Sequence, residues 1–89
     1  MRVLSGKRAH EAIKVLACET RWDLFNSVQR QPSHIAELAD KLDKDKSTVS
    51  RHVDALEDAG LVRTATVSGE RGAKKKVYSL SPRIVIDLS

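Results

Sequence analysis

The stretch that decides the fold reads SHIAELADKLDKDKSTVSRHVDALEDAG, residues 33–60. Ile35, Leu38, Ala39 and Leu42 recur at the three- and four-residue spacing of one helical face. Pro32 disfavours helix at the residue before it, so Ser33 is read as the cap that starts this helix. Asp43-Lys44 is a short turn. Asp45 is placed to cap a further helix from Lys46 to about Ala59, with Val49, Val53 and Leu56 as its buried stripe. Gly60 stands where a helix C-terminus favours glycine. Two helices joined by a turn of this length form a helix-turn-helix, predicted at about 33–59.

Working toward the N-terminus, Ser5 is the expected cap of a first helix from about Lys7 to Cys18, with Ala9, Ala12, Ile13 and Leu16 on one side. Thr20 and Asp23 have the spacing of a capping box, with Asp in place of Glu, and predict a second helix carrying Leu24, Phe25 and Val28. Beyond Gly60 the period changes. Leu61 to Val67 reads as a strand, Ser68-Gly69-Glu70-Arg71-Gly72 as a turn, and Lys75 to Leu80 as the returning strand with Tyr78 and Leu80 on one face. Ser81-Pro82 ends it, and an apolar tail follows from Ile84 to Leu88. The expectation is one α+β, mainly α domain over 1–89, a helical bundle followed by a hairpin at about 61–80. Its expected core is Ile13, Leu16, Leu24, Phe25, Ile35, Leu38, Leu42, Val49, Val53, Leu56, Leu61, Val62, Tyr78 and Leu80.

The outward face of the helix from Lys46 carries the functional signal. Advancing about 100° per residue from Val49 puts Ser47 and Arg51 opposite the buried stripe and Ser50 on its shoulder, with Asp54 and Asp58 continuing toward the C-terminus. A B-DNA major groove admits one helix, and helices of this kind read bases mainly through their leading residues. The candidate contacts are Lys44, Lys46, Ser47, Thr48, Ser50, Arg51 and His52. Ser47 and Thr48 are short donors for a phosphate, and the Arg51 guanidinium matches guanine O6 and N7. His52 lies beside the stripe, where it either touches the DNA backbone or covers the core. The acidic trailing half is expected to be repelled by phosphate, which selects the docking end. The hairpin adds Arg63, Arg71, Lys74, Lys75 and Lys76 against Glu70, a sum of +4 that equals the formal charge of the whole chain. That suits a ribbon laid along the phosphate backbone or set into a minor groove. Double-stranded DNA is the expected partner.

The stretch Ala36 to Leu80 resembles the winged-helix repressors of the ArsR and MarR type. The likeness is carried by Ile35 to Leu42, by Asp45 to Val62 with its run Ser47-Thr48-Val49-Ser50-Arg51-His52, and by Lys76-Val77-Tyr78-Ser79-Leu80. It implies a winged helix-turn-helix transcriptional regulator, a dimeric repressor that binds palindromic sites and often answers to an effector. Two departures stand out. The cysteine pairs and the His and Asp ligands of metal-sensing members are missing, and the long C-terminal helix through which many relatives dimerise has no counterpart before Ser89. A winged-helix protein-interaction module and a redox- or ligand-responsive switch are the alternative readings; no effector follows from the sequence.

Composition narrows the remaining classes. With 40% hydrophobic and 31% charged residues, the 89-residue chain suits a folded domain rather than a disordered one. Trp22, Phe25 and Tyr78 are its only aromatics, so Leu, Val, Ile and Ala must fill the core. Cys18 is the sole cysteine, which excludes an intrachain disulfide; it reads as a small core residue or as an intermolecular, oxidant-sensing thiol. Met1 to Ser5 is too short for a signal peptide and no run approaches the roughly 20 apolar residues of a membrane span, so a cytoplasmic protein is expected. His10, His34 and His52 lack metal-ligand partners at helical spacing, and no cofactor or metal is expected. Glu37 with Asp40, and Glu57 with Asp58, read as charged helix surface, so no enzyme is expected. The first helix and the Ile84 to Leu88 tail exceed what one small core needs. A homodimer is therefore expected, with the tail pairing with Met1 to Leu4 within or across chains.

Overall fold

Helical periodicity sets the elements, and backbone hydrogen bonding sets where they stop. The computed structural model describes residues 2–69, 72–80 and 84–87. In chain order the elements are β1 (Arg2–Leu4), α1 (Gly6–Leu16), α2 (Glu19–Arg30), β2 (Ser33–His34), α3 (Ile35–Leu42), α4 (Lys46–Asp58), β3 (Val62–Gly69), β4 (Gly72–Ser79) and β5 (Ile84–Ile86).

Three helix boundaries differ from the sequence reading, and the hairpin strands run to Gly69 and from Gly72, into the expected 68–72 turn. α1 ends at Leu16 rather than Cys18, because Cys18 adopts extended backbone and becomes the N-cap of α2, its carbonyl accepting the Trp22 N–H at 2.9 Å. Thr20 is thus already inside the helix, and the Thr20/Asp23 box is not used. Ser33 does not cap α3. It joins His34 in a short strand, and His34 is the cap, its N–H donating to the Glu37 carboxylate at 3.0 Å. The sheet claims these two residues because β4 offers them a free edge, with Ser33 opposite Val77 and His34 opposite Lys76.

The two helices of the central pair end alike. After α3, Lys44 N–H reaches Ala39 O at 3.0 Å and Asp43 N–H reaches Asp40 O at 3.3 Å, with Asp43 in left-handed backbone at φ 55°. After α4, Leu61 N–H reaches Leu56 O and Gly60 N–H reaches Glu57 O, both at 2.9 Å, with Gly60 at φ 75°. Both are Schellman motifs. The second places Leu61 against Leu56, both fully buried, and turns the chain straight into β3.

β2, β4 and β3 form an antiparallel sheet in that order, and the hairpin register runs from Val62 opposite Ser79 to Gly69 opposite Gly72. Its inward residues are Val62 and Val77, both buried, and not the predicted Tyr78 and Leu80. Tyr78 is half-buried and Leu80 is 44% exposed. Ile13, also expected in the core, is 44% exposed, because α1 turns its small residues Ala9 and Ala12 inward. Leu16, Ile35 and Leu42 pack against the core from its margin.

Leu24, Phe25, Val28, Leu38, Ala39, Val49, Val53, Leu56 and Leu61 fill the centre, joined by Leu4 from β1. Each large apolar side chain buried there contributes about 1.5–3 kcal/mol of transfer free energy. The tail pairs with the N-terminus within the chain: β1 and β5 run parallel, with Val3 opposite Val85, and Asp87 N–H donates to Leu4 O at 2.7 Å.

Candidate nucleic-acid interface

Asp45 opens α4 with extended backbone, and its carboxylate turns onto the helix's own first turn. It accepts hydrogen bonds from the Ser47 hydroxyl at 2.7 Å and from the Thr48 hydroxyl. The Thr48 bond, followed by the Ser47 bond, holds the Asp45 carboxyl below the usual aspartate range. Both hydroxyl protons expected to meet a phosphate are therefore committed to Asp45 in the free chain. Around them Lys44, Lys46, Ser47 and Arg51 are exposed, while Thr48, Ser50 and His52 are half-buried. The leading end is cationic at its rim and carries one carboxylate at its centre.

Beside it lies an open groove of about 520 Å³, bordered by Ile35 and Ala36 at the start of α3, Lys46, Ser47 and Ser50 of α4, and Lys74 and Lys75 of β4. The hairpin is held against α4 by the helix's acidic trailing half. Glu57 Oε2 accepts the Thr64 N–H and the Thr64 hydroxyl, both at 3.0 Å, and Lys75 Nζ lies 3.8 Å from Asp54 Oδ1. Side chains alternate across a strand, so Lys75 faces α4 and Lys76 faces away. On that far side Lys76 and Arg63 lie over the Tyr78 ring, at 5.7 and 4.8 Å from its centroid. The basic hairpin thus carries cations on two faces rather than as one cluster. Arg71 lies outside the described residues.

His52 sits on the other flank of α4. Its Nδ1 accepts a hydrogen bond from Arg21 Nε at 3.2 Å, and Arg21 Nη1 donates to the Val15 carbonyl at 3.1 Å. Burial, then the charges of Arg21, Arg51 and Lys44, push the imidazole below its ordinary value. An imidazole that accepts at Nδ1 in its neutral form carries its proton at Nε2.

The comparisons with known proteins bear on this arrangement. Residues 7–86 match the model of the HVO_A0114 family. The chain belongs to the HVO_A0114 family. It is 36% identical over 58 residues to the uncharacterized protein MJ1503 of Methanocaldococcus jannaschii, a match covering 65% of this chain and 44% of the relative. The chain thus spans less than half the length of that relative. Among solved structures, it is similar to an ArsR-like transcriptional regulator from Rhodococcus sp. RHA1, with 25% identity and a TM-score of 0.70 over 82% of this chain and 65% of that one. It is also similar to HlyU from Vibrio cholerae N16961, with 23% identity and a TM-score of 0.74 over 83% of this chain and 76% of that one. The HVO_A0114 domain is a winged helix-turn-helix of the ArsR type, mainly α with a β wing.

In this HVO_A0114 family member the groove brings Lys46, Ser47, Ser50, Lys74 and Lys75 together, Lys44 and Arg51 are exposed beside it with charges that reach His52, and Arg63 and Lys76 lie over Tyr78 on the far face of the wing. Sequence reasoning missed Arg21, which lies 31 residues from the histidine it touches, and no local spacing signals the pair. It also missed Glu57, read as surface. The signal available for Glu57 was that β3 would be an edge strand whose outward donors need a partner. No three or more His, Cys, Asp or Glu side chains gather as a metal site among the described residues. Among these residues no helix is long and apolar enough to cross a membrane.

Proposed function

We propose that the domain binds double-stranded DNA sequence-specifically as a homodimer and represses transcription by occupying its site. The leading end of α4 enters the major groove. Arg51 reads a guanine, Lys44, Lys46, Ser47, Thr48, Ser50 and His52 complete that contact surface, and Arg63, Lys74, Lys75 and Lys76 of the wing engage phosphate. Arg71 belongs to the same set by sequence. The observation that carries this reading is the exposed cationic rim of α4 with a wing lysine held beside it. Phosphate contacts position a protein on DNA and base contacts specify the site, and this surface has residue types for both.

The dimer is supported by apolar surface on neighbouring elements, Val3 of β1 at 55% exposure and Ile13 of α1 at 44%. Two copies related by a two-fold axis would present their reading helices about 34 Å apart, one turn of duplex. Selection of bound sequences from a random duplex pool tests the function. A palindromic consensus with half-sites about one turn apart is expected, and failure to retard any duplex in dilute buffer refutes the proposal. Sedimentation at micromolar concentration tests the dimer, and a monomer there refutes that part.

A further inference from the structure

We infer that Arg21 is a second anion-binding site on the side of α4 away from the wing, which takes a backbone phosphate of the duplex and in which His52 is the residue that positions Arg21. This rests on the duplex-binding reading above. It adds a contact from α2, an element that the helix-turn-helix and the wing leave out.

The case begins with the helix itself. Counting about 100° per residue from buried Val49, Ser50 and Asp54 fall on one side of α4 and His52 on the other. The first side meets β4, where Asp54 lies near Lys75. The second meets α2, where Arg21 bonds His52. A helix lying in a major groove about 12 Å wide has a wall of phosphates on each side. The wing addresses one wall only. On the other side the chain places Arg21, and the charges of Arg51 and Lys44 act on the same His52 ring.

Among the described residues, Arg21, Lys44 and Arg51 form no ion pair within 4 Å; the Asp45 carboxylate, on which Arg51 acts from farther away, accepts from Ser47 and Thr48. Like charges gathered in this way repel each other until an anion arrives. Arg21 is also prepared for one. A guanidinium has five N–H donors in a rigid fork that matches phosphate. Its bonds to His52 Nδ1 and the Val15 carbonyl use two of them and fix the plane of the group. His52 serves as the acceptor because it is neutral; a protonated ring would offer only donors. Its task is to hold the guanidinium, which accounts for a half-buried histidine on a DNA-facing helix.

The experiment is a salt titration of duplex binding with wild type, Arg21→Gln, His52→Phe and the double variant. Gln keeps an N–H for the Val15 carbonyl and removes the charge. Loss of one phosphate contact lowers the log–log salt slope by about 0.9, so the fall in affinity between about 50 and about 200 mM salt shrinks by about 3.5-fold. Base preference stays unchanged. His52→Phe, which leaves Arg21 charged but unheld, is expected to lower the slope in the same direction and to add nothing in the Arg21→Gln background. A merely structural role would shift melting temperature and leave the slope alone. If wild type binds duplex and both single variants keep its full slope, the second site is wrong while the DNA reading stands. If wild type retards no duplex, the DNA reading itself falls and takes the site with it.

Discussion

Glu57 Oε2 accepts two hydrogen bonds from Thr64, one from the backbone N–H and one from the hydroxyl, both at 3.0 Å. The contact joins the last turns of α4 to the edge strand of the wing. Combined with the Schellman turn at Gly60, it fixes the angle at which the hairpin leaves α4. The acidic trailing half of that helix is thereby the attachment of the wing.

Removing this acceptor tests its weight. Glu57→Ala leaves a half-buried N–H and hydroxyl without their partner and is expected to destabilise the domain by about 1–3 kcal/mol. Glu57→Gln keeps a neutral carbonyl oxygen and recovers roughly half of that loss, since charge-assisted bonds are about twice as strong. Thermal unfolding measures both, and faster amide exchange at Thr64 in Glu57→Ala localises the effect. Unchanged unfolding in Glu57→Ala refutes the attachment.

The core of the wing gives a second expectation. Val77 is fully buried on the central strand and Leu80 is 44% exposed. Val77→Ala is expected to cost about 2 kcal/mol, from the lost methyl transfer and the cavity left behind. Leu80→Ser is expected to lie within about 0.5 kcal/mol of wild type. Chemical denaturation of the two variants checks the order, and the reverse order would restore the face first read from the sequence.

That reversal shows what local sequence can carry. The helices around Leu24, Leu38 and Val49 were legible because an amphipathic stripe repeats several times within one element. In β4, Val77 and the pair Tyr78 and Leu80 both offer an apolar face over a short run, and size favours the wrong one. The choice is made by pairing with Ser33 and packing on α2, which are tertiary events. The same holds for Ser33, an acceptable cap until β4 claims it, and for Arg21, whose partner is brought near only by the fold. The exposure of Ser47 and Arg51 was legible because both lie opposite the buried stripe.

Asp43 supplies a test of backbone strain. It is the non-glycine residue with positive φ among the described residues, at φ 55°, and it closes α3 ahead of α4. Aspartate tolerates this region better than most L-residues, but glycine has no Cβ to crowd the carbonyl. Asp43→Gly is expected to stabilise the domain by up to about 1 kcal/mol, and Asp43→Val to destabilise it by about 1–2 kcal/mol. Gly60→Ala, at φ 75°, should cost a similar amount to the valine change. Melting curves that rank Asp43→Val above wild type would contradict the left-handed turn.

The imidazole of His52 gives a pH dependence with a definite sign. Burial, then Arg21, Arg51 and Lys44, place its folded pKa below the ordinary value of 6.5. The unfolded chain therefore binds this proton more readily, and stability rises with pH through the window between the two values. The contribution is complete above about 6.5 and is lost as pH falls through the folded value. Melting temperature measured from about pH 7.5 down to about pH 5 should decline in wild type and decline less in His52→Gln. Identical profiles for the two proteins would remove His52 from the account.

The wing lysines separate two ways of meeting DNA. Lys75 faces α4 and lies 3.8 Å from Asp54, whereas Lys76 sits over Tyr78 on the opposite face, with Arg63. A ribbon laid flat along one phosphate strand uses a single face, so Lys75→Ala should lower the salt slope by about 0.9 while Lys76→Ala leaves it nearly unchanged. A ribbon set into the minor groove meets phosphates on both sides, and then either change lowers the slope by that amount. Neither should alter base preference, in contrast to Arg51→Ala, which is expected to cost about 1–3 kcal/mol and to relax selection at one position. Asp54→Asn should tighten binding to all sequences, because it releases Lys75 and removes a carboxylate facing the backbone. If Lys75→Ala and Lys76→Ala both leave the slope intact, neither lysine touches phosphate, and a combined change at Arg63, Lys74, Lys75 and Lys76 that also leaves it intact would remove the wing from the interface.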